Sequence, residues 1–298
     1  MKAIISGSIV VGLGLMFLAM VQGAEPKEEV IDLGKGVKLE MVLIPADKFL
    51  MGSTKEAVEA ALKGDAFFKE LMKDKEETEL SKKVEGIVES ERQHEVTISK
   101  SFYLGKYEVT NEQWDSVMFV NRSDPAYMGA KLPVTKVSWM DCQEFIKKLN
   151  AKSKGGYRLP TEAEWEYSCR AGTTTEYSFG DSITPKDANW NHNFISIKEL
   201  GNQYKQGKIK PVAVGSYKAN PYGLYDMHGN VWEWCEDRYG GYAKGAAIDP
   251  KGPNSGEYRV LRGGSFGISA GGTRSASRGS VTPDLRFNDI GFRLARTP

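Results

Sequence analysis

Apolar and polar positions alternate early in the chain. Val37, Leu39, Met41 and Leu43 take turns with Lys38, Glu40, Val42 and Ile44. A period of two belongs to a strand, so residues 31–52 read as strand, ending in the turn Phe49-Leu50-Met51-Gly52-Ser53. Residues 54–92 change character. They are dense in Lys and Glu, with Leu80, Val84, Ile87 and Val88 at helical spacing and Phe67, Phe68, Leu71 and Met72 forming an earlier face. That spacing predicts one or two amphipathic helices in a charged insert lying on the surface, or else an arm or lid for a partner. Strand character returns over residues 94–107. Thr110 with Gln113 and Thr161 with Glu164 are then capping boxes that start helices, and Ser138 with Asp141 is a looser third start. The helix after Ser138 carries Trp139, Cys142, Phe145, Ile146 and Leu149 on one face, and Gly172 marks the stop of the helix ending near Arg170. Turns and short strands are expected from there to Pro298. Without a linker or a fixed-period repeat, the pattern predicts one α+β domain, loop-rich, with short strands and a few helices.

Composition adjusts this picture only at the ends. The 40% hydrophobic and 27% charged content is ordinary for a globular chain, and a net charge of +1 gives no reason to expect nucleic acid. Lys2, the apolar stretch 4–21 and the sequence Val21-Gln22-Gly23 ahead of Ala24 read as a signal peptide over 1–23. The mature part, 24–298, is then secreted or periplasmic and free of the membrane; the alternative is an uncleaved membrane anchor. Cys142, Cys169 and Cys235 make an odd count, so at least one thiol is unpaired, and none sits in a CxxC pattern.

Asp226-x-x-Gly229-x-Val231-x-Glu233 is the most chemically suggestive run. Two carboxylates flank a glycine bend that can turn backbone carbonyls toward one point, and calcium takes six to eight such oxygens. The competing reading is a turn whose carboxylates pair with arginine.

Seven segments, in order, resemble the formylglycine-generating-enzyme (sulfatase-modifying-factor) family. They are Phe49 to Ser53, Tyr107-Glu108-Val109-Thr110-Asn111, Leu132-Pro133-Val134 with Val137-Ser138-Trp139, the run from Tyr157 through Arg158-Leu159-Pro160-Thr161 to Tyr167, the run from Asn220 to Trp234, Arg262-Gly263-Gly264-Ser265-Phe266, and Gly291-Phe292-Arg293. The resemblance implies the family's mixed fold, distantly like C-type lectin domains; read as residues, Trp165 belongs to the core and Arg262 and Arg293 are partners for buried carboxylates. The resemblance implies calcium at Asp226, Glu233 and the carbonyls of Gly229 and Val231. It implies a second calcium at Asn189 and the Trp190 carbonyl, but the acid that site needs falls near Tyr204, so this site is weakened or lost.

The family's enzymes oxidise a substrate cysteine with copper held by two cysteines after the Ser-Phe pair. Here Ser265 is retained, but Ile268 and Ala270 occupy the cysteine positions. Thiolates are the soft ligands Cu(I) needs, so copper is not expected. Cys169 matches a family cysteine whose partner position is Leu294, which implies a buried free thiol. Some relatives bind iron through histidines, and only His94, His192 and His228 exist to do so. The expectation is a non-catalytic, calcium-stabilised binding or accessory module for a protein (a sulfatase among them), peptide or glycan ligand. The alternative is a metal-dependent oxidoreductase acting on protein cysteine or another substrate.

Overall fold

The computed structural model describes residues 27–120 and 123–298, so the expected signal peptide at 1–23 lies outside the described residues. The chain begins with β1 (Glu28–Gly34), β2 (Val37–Ile44) and β3 (Asp47–Met51), followed by α1 (Lys55–Gly64), α2 (Ala66–Met72) and α3 (Glu77–Ser90). Next come β4 (His94–Ile98), β5 (Phe102–Gly105), α4 (Asn111–Met118), α5 (Trp139–Lys152), β6 (Tyr157–Arg158), α6 (Glu162–Arg170) and α7 (Ile197–Lys205). The remainder supplies β7 (Trp232–Arg238), β8 (Ala247–Ile248), β9 (Arg259–Arg262), β10 (Arg278–Val281), β11 (Ile290–Gly291) and β12 (Ala295–Arg296).

Among the described residues these strands form three small sheets, ordered β1-β2-β5-β12-β6, β10-β9-β7-β11 and β3-β4-β8. The sheets weave the two ends of the chain together. Ala295 and Arg296 pair on one side with Leu104 and Tyr103 and on the other with Arg158 and Tyr157. Side chains alternate across a strand, so β2 buries Met41 on one face and Val42 on the other. Met41 joins Trp114, Phe145, Trp234 and Phe292 in one core cluster, and Val42 joins Phe102, Trp165 and Cys235 in another.

All three helix starts carry reciprocal capping boxes, with Thr110 and Gln113, Ser138 and Asp141, and Thr161 and Glu164 exchanging side-chain and backbone hydrogen bonds. Each cap satisfies amide donors that a helix cannot bond internally, which contributes about 1 kcal/mol. The stop of α6 falls one residue before Gly172: Ala171 itself takes the left-handed conformation, φ 47°, and its N–H bonds the Tyr167 carbonyl. Helix α7 departs from the expectation of turns after Gly172. Ser196 caps it by accepting from the Glu199 N–H.

The charged insert holds three helices rather than one or two. They share a small core of Val58, Leu62 and Phe68, with Leu80, Val84 and Ile87 packed against it. The insert is also rooted in the body. Ser53 N–H donates to the Glu91 carbonyl at 2.8 Å, and the buried Glu91 carboxylate accepts twice from Arg274 Nη2 at 2.9 Å. Gly52 allows this closeness, since a Cβ there would lie 2.3 Å from the Glu91 carbonyl oxygen.

Glu166 is fully buried on α6. It accepts from Arg170 Nε at 2.8 Å, from the Gly52 N–H at 2.8 Å, and from Arg262 Nη2. Burial alone would raise its pKa, but the two guanidiniums outweigh burial and hold it below the usual value. Glu166→Gln leaves two buried arginines short of a counter-charge and is expected to destabilise by about 3–5 kcal/mol in urea unfolding. Glu95→Gln, which breaks the exposed pair with Lys48, is expected to shift stability by no more than about 0.5 kcal/mol.

Candidate functional site

The loop after β9 begins with Gly263 and Gly264, both at positive φ. They turn the chain so that Ser265 points inward. Ser265 is buried, and its Oγ donates to Asp289 Oδ2 at 2.8 Å. The hydroxyl of Tyr204, from α7, donates to the same oxygen at 3.3 Å. Burial pushes the Asp289 carboxyl up, against the pull of these two hydrogen bonds. The Tyr204 ring packs 5.6 Å from the Phe266 ring, and the bare Cα of Gly267 makes room for the Tyr204 hydroxyl. The retained serine is therefore covered by a tyrosine from a helix that the hydrophobic pattern does not announce.

Ile268 packs over Gly272, and its carbonyl accepts from the Asn191 N–H at 2.9 Å. Ala270 opens a 3-10 turn, and its carbonyl accepts from the Tyr177 hydroxyl at 2.9 Å. Neither side chain offers a ligating atom. Cys142, Cys169 and Cys235 are all buried and free. Cys169 Sγ lies 3.6 Å from His228 Nε2. Burial raises that thiol to about 12 and lowers the imidazole to about 4, so the pair is neutral and the sulfur is no nucleophile at neutral pH.

The acidic run folds into a buried cluster. Glu233 accepts from Arg293 Nε and Nη2, both at 2.7 Å, and from Trp165 Nε1 at 2.8 Å. Asp226 adopts φ 57° and accepts from the Gly215 N–H through Oδ2 at 2.7 Å, while its buried Oδ1 has no partner. Glu108, from the motif at 107–111, is the third member. It accepts from Asn230 Nδ2 at 2.6 Å and from the Val231 N–H at 3.2 Å. Burial, then repulsion from Asp226 and Glu233, pushes Glu108 well above the carboxylate range, and burial pushes Asp226 to about 6. Gly229 approaches Asn189 so closely that a Cβ would sit 2.2 Å from the Asn189 carbonyl oxygen. That brings together the two runs expected to bind calcium, and the Asn189 amide nitrogen donates to the Lys210 carbonyl and Asn230 Oδ1. The Trp190 carbonyl accepts from the His192 N–H at 3.0 Å.

His94, His192 and His228 stand in separate surroundings, beside Tyr242, Trp190 and Cys169 respectively. Among the described residues no group of three or more His, Cys, Asp or Glu side chains is placed to hold a metal ion.

Two cavities flank these features. A cleft of about 650 Å³ opens between α1, the stretch 176–194 and the loop at 269–274. A smaller one, about 350 Å³, is lined by His94, Glu162, Asp237, Tyr242 and Arg278 among others.

The fold, with its serine-bearing glycine loop, is that of the sulfatase-modifying-factor-like domains. The chain belongs to the family of the sulfatase-modifying factor enzyme 1-like domain, whose profile matches residues 32–298. It is 39% identical over 173 residues to a formylglycine-generating enzyme of Streptomyces coelicolor, covering 55% of this chain and 52% of that protein. It is 36% identical over 168 residues to the formylglycine-generating enzyme of Mus musculus, covering 55% and 44%. The chain thus spans about half the length of these curated relatives. A chaperone protein, LppX of Paenibacillus barcinonensis, is 29% identical over 68% of this chain and 82% of its own length. Among solved structures, Treponema denticola variable protein 1 superposes with TM-score 0.68 at 26% identity over 92% of this chain and all of that one. PvdO from Pseudomonas aeruginosa does so with TM-score 0.67 at 25% identity over 93% of this chain and all of that one.

Asp237 carries a pH dependence. Burial, then repulsion from Glu162, raises its pKa to about 8. A carboxyl whose folded pKa lies above its unfolded one favours folding when protonated. Its contribution is complete below about pH 4 and is lost as pH rises through about 8. Asp237→Asn keeps an oxygen for the Glu162 N–H that Asp237 now accepts. It is expected to flatten the fall in melting temperature between about pH 5 and 8. An unchanged slope would place the titrating group elsewhere.

Proposed function

We propose that the chain is an exported, calcium-stabilised binding or accessory module that keeps the sulfatase-modifying-factor scaffold and makes no formylglycine. The observation that carries this reading is the loop at 265–270. Its cysteine positions are Ile268 and Ala270, and its serine is buried beneath Tyr204 on Asp289. No thiolate is available there to hold Cu(I). The relative named as a chaperone, matched over most of its own length, supports an accessory role. The ligand is a protein or peptide, or else a glycan, and the cleft beside the same loop is where it docks.

Calcium fits the residues present at one decisive atom. Asp226 Oδ1 is buried without a partner, in a cluster where Arg293 is the cation facing Glu108, Asp226 and Glu233. Asp226 with the Gly229 and Val231 carbonyls would hold the ion, and Glu233 would share its oxygens between the ion and Arg293. Bound calcium supplies charge that lets these carboxylates ionise without repulsion. The Trp190 carbonyl already accepts from the His192 N–H, and the position of the acid that a second site needs falls near Tyr204, so a second ion lacks a full oxygen set.

The enzyme alternative is tested directly. Purified protein supplied with copper and oxygen is expected to leave a cysteine-containing sulfatase peptide unchanged by mass spectrometry. An aldehyde product that accumulates with turnover would overturn the reading and return the chain to the oxidoreductases.

A further inference from the structure

The insert leaves an apolar groove open. Helix α3 sets Leu80, Val84, Ile87 and Val88 toward the small core of the insert, yet none of its 14 side chains is fully buried. A helix of that length draws most of its stability from packing its apolar face, so a half-covered stripe leaves packing unfilled. Leu62 of α1, Phe68 and Met72 of α2, and Leu80 and Val84 of α3 form the floor of a hollow of about 420 Å³. A second hollow, of about 430 Å³, continues from Met72 past Leu71. Both lie away from the cleft at the loop 269–274. Ala57, Ala60 and Ala61 line that cleft, whereas Leu62 and Lys63, on the opposite side of α1, line the groove.

The free charges on the rim are of one sign. Lys63, Lys69 and Lys73 line the first hollow together with Glu59, and Lys75, Lys82 and Lys83 line the second together with Glu79. Both glutamates are already met, Glu59 by Lys55 at 3.7 Å and Glu79 by Lys75 at 2.9 Å. Lys73 is met by Glu70 at 2.8 Å. Among the described residues, Lys63, Lys69, Lys82 and Lys83 have no ion pair, and all four are exposed. Acids outnumber basic residues over 54–92. The basic rim is therefore a segregation of charge and not a consequence of composition.

Each class of occupant meets this groove differently. A membrane surface takes up apolar side chains that stand out beyond the charges. Here the floor is recessed: Leu62 and Phe68 are each 9% exposed, and Leu71 is the apolar lining residue that stands out. A second copy of the chain, docked groove to groove about a two-fold axis, sets lysines against lysines. A helix laid along the groove meets every feature together, with apolar anchors for the floor and carboxylates for the free lysines. We propose that the groove docks an amphipathic helix of a partner protein whose apolar stripe is edged by Asp and Glu. This surface is separate from the cleft and from the acidic cluster, so its occupancy does not depend on what either of them binds.

The test titrates the whole purified protein with three peptides of about 18 residues, long enough to form a helix. One carries a leucine stripe edged by glutamate. The second carries the same stripe edged by lysine, and the third is the first with a central proline. The glutamate peptide is expected to bind, more weakly as salt is raised. The lysine and proline peptides are expected to bind at least about tenfold more weakly. Lys69→Glu combined with Lys83→Glu, both at exposed positions, should leave the melting temperature unchanged, weaken the glutamate peptide and strengthen the lysine peptide. Equal binding of the glutamate and lysine peptides, or glutamate-peptide binding indifferent to the double reversal, overturns the proposal. Equal binding of the proline peptide overturns the helix as occupant. Binding of no peptide overturns it too, and sedimentation with anionic phospholipid vesicles in that case gives the surface to a membrane.

Discussion

A carboxylate taken out of water has to be met by a cation, and this chain meets its buried acids with arginines from its last stretch. Arg262 reaches Glu166 on α6, Arg274 reaches Glu91 at the root of the insert, Arg278 reaches Glu162 at 2.6 Å, and Arg293 reaches Glu233 on β7. Each pair joins the C-terminal segment to an element laid down earlier. The guanidinium fork suits this role, since it offers several fixed donors to one carboxylate and is weakly hydrated. Such pairs add little net energy over a well-packed apolar core, yet breaking one is costly. They therefore specify which strand and loop sit where, and through Arg274 they fix the loop that lines the cleft.

The same constraint exposes a place where the balance fails. Glu108, Asp226 and Glu233 share Arg293, and Asp226 Oδ1 is left without a partner. Two remedies are open to such a cluster, a proton or a metal ion. Burial already drives Glu108 and Asp226 toward the proton. A calcium ion would drive both the other way, and it would do so beside the β7 segment that carries the buried Trp234.

Much of this was legible in the chain itself. Capping boxes are local chemistry, so Thr110, Ser138 and Thr161 announced their helices correctly. The motif order announced the family, and Arg262 and Arg293 announced their pairing with buried acids. Three things were not legible. Helix α7 has its cap at Ser196 and Glu199, but Ile197, Leu200 and Tyr204 are too sparse a stripe to stand out. Glu108 sits inside a helix-start motif, and only the fold brings it to Val231 and Asn230. The insert's charge places it on the surface, but not its hold on the body, which runs through two inward acids, Asp65 on the Gly271 N–H and Glu91 on Arg274.

Whether the acidic cluster at Asp226 carries an ion decides between these two remedies. The direct measurement is the melting temperature of the mature chain at neutral pH, with chelator, with added calcium, and for Asp226→Asn. Ligand bound only to the folded state adds about 2.7 kcal/mol at a hundredfold excess over its dissociation constant. Calcium is therefore expected to raise the melting temperature of chelator-treated protein by several degrees, and Asp226→Asn is expected to shrink that rise. A melting temperature indifferent to both chelator and calcium would rule out the bound ion and leave the run from Asp226 to Glu233 as a turn braced by Arg293 alone.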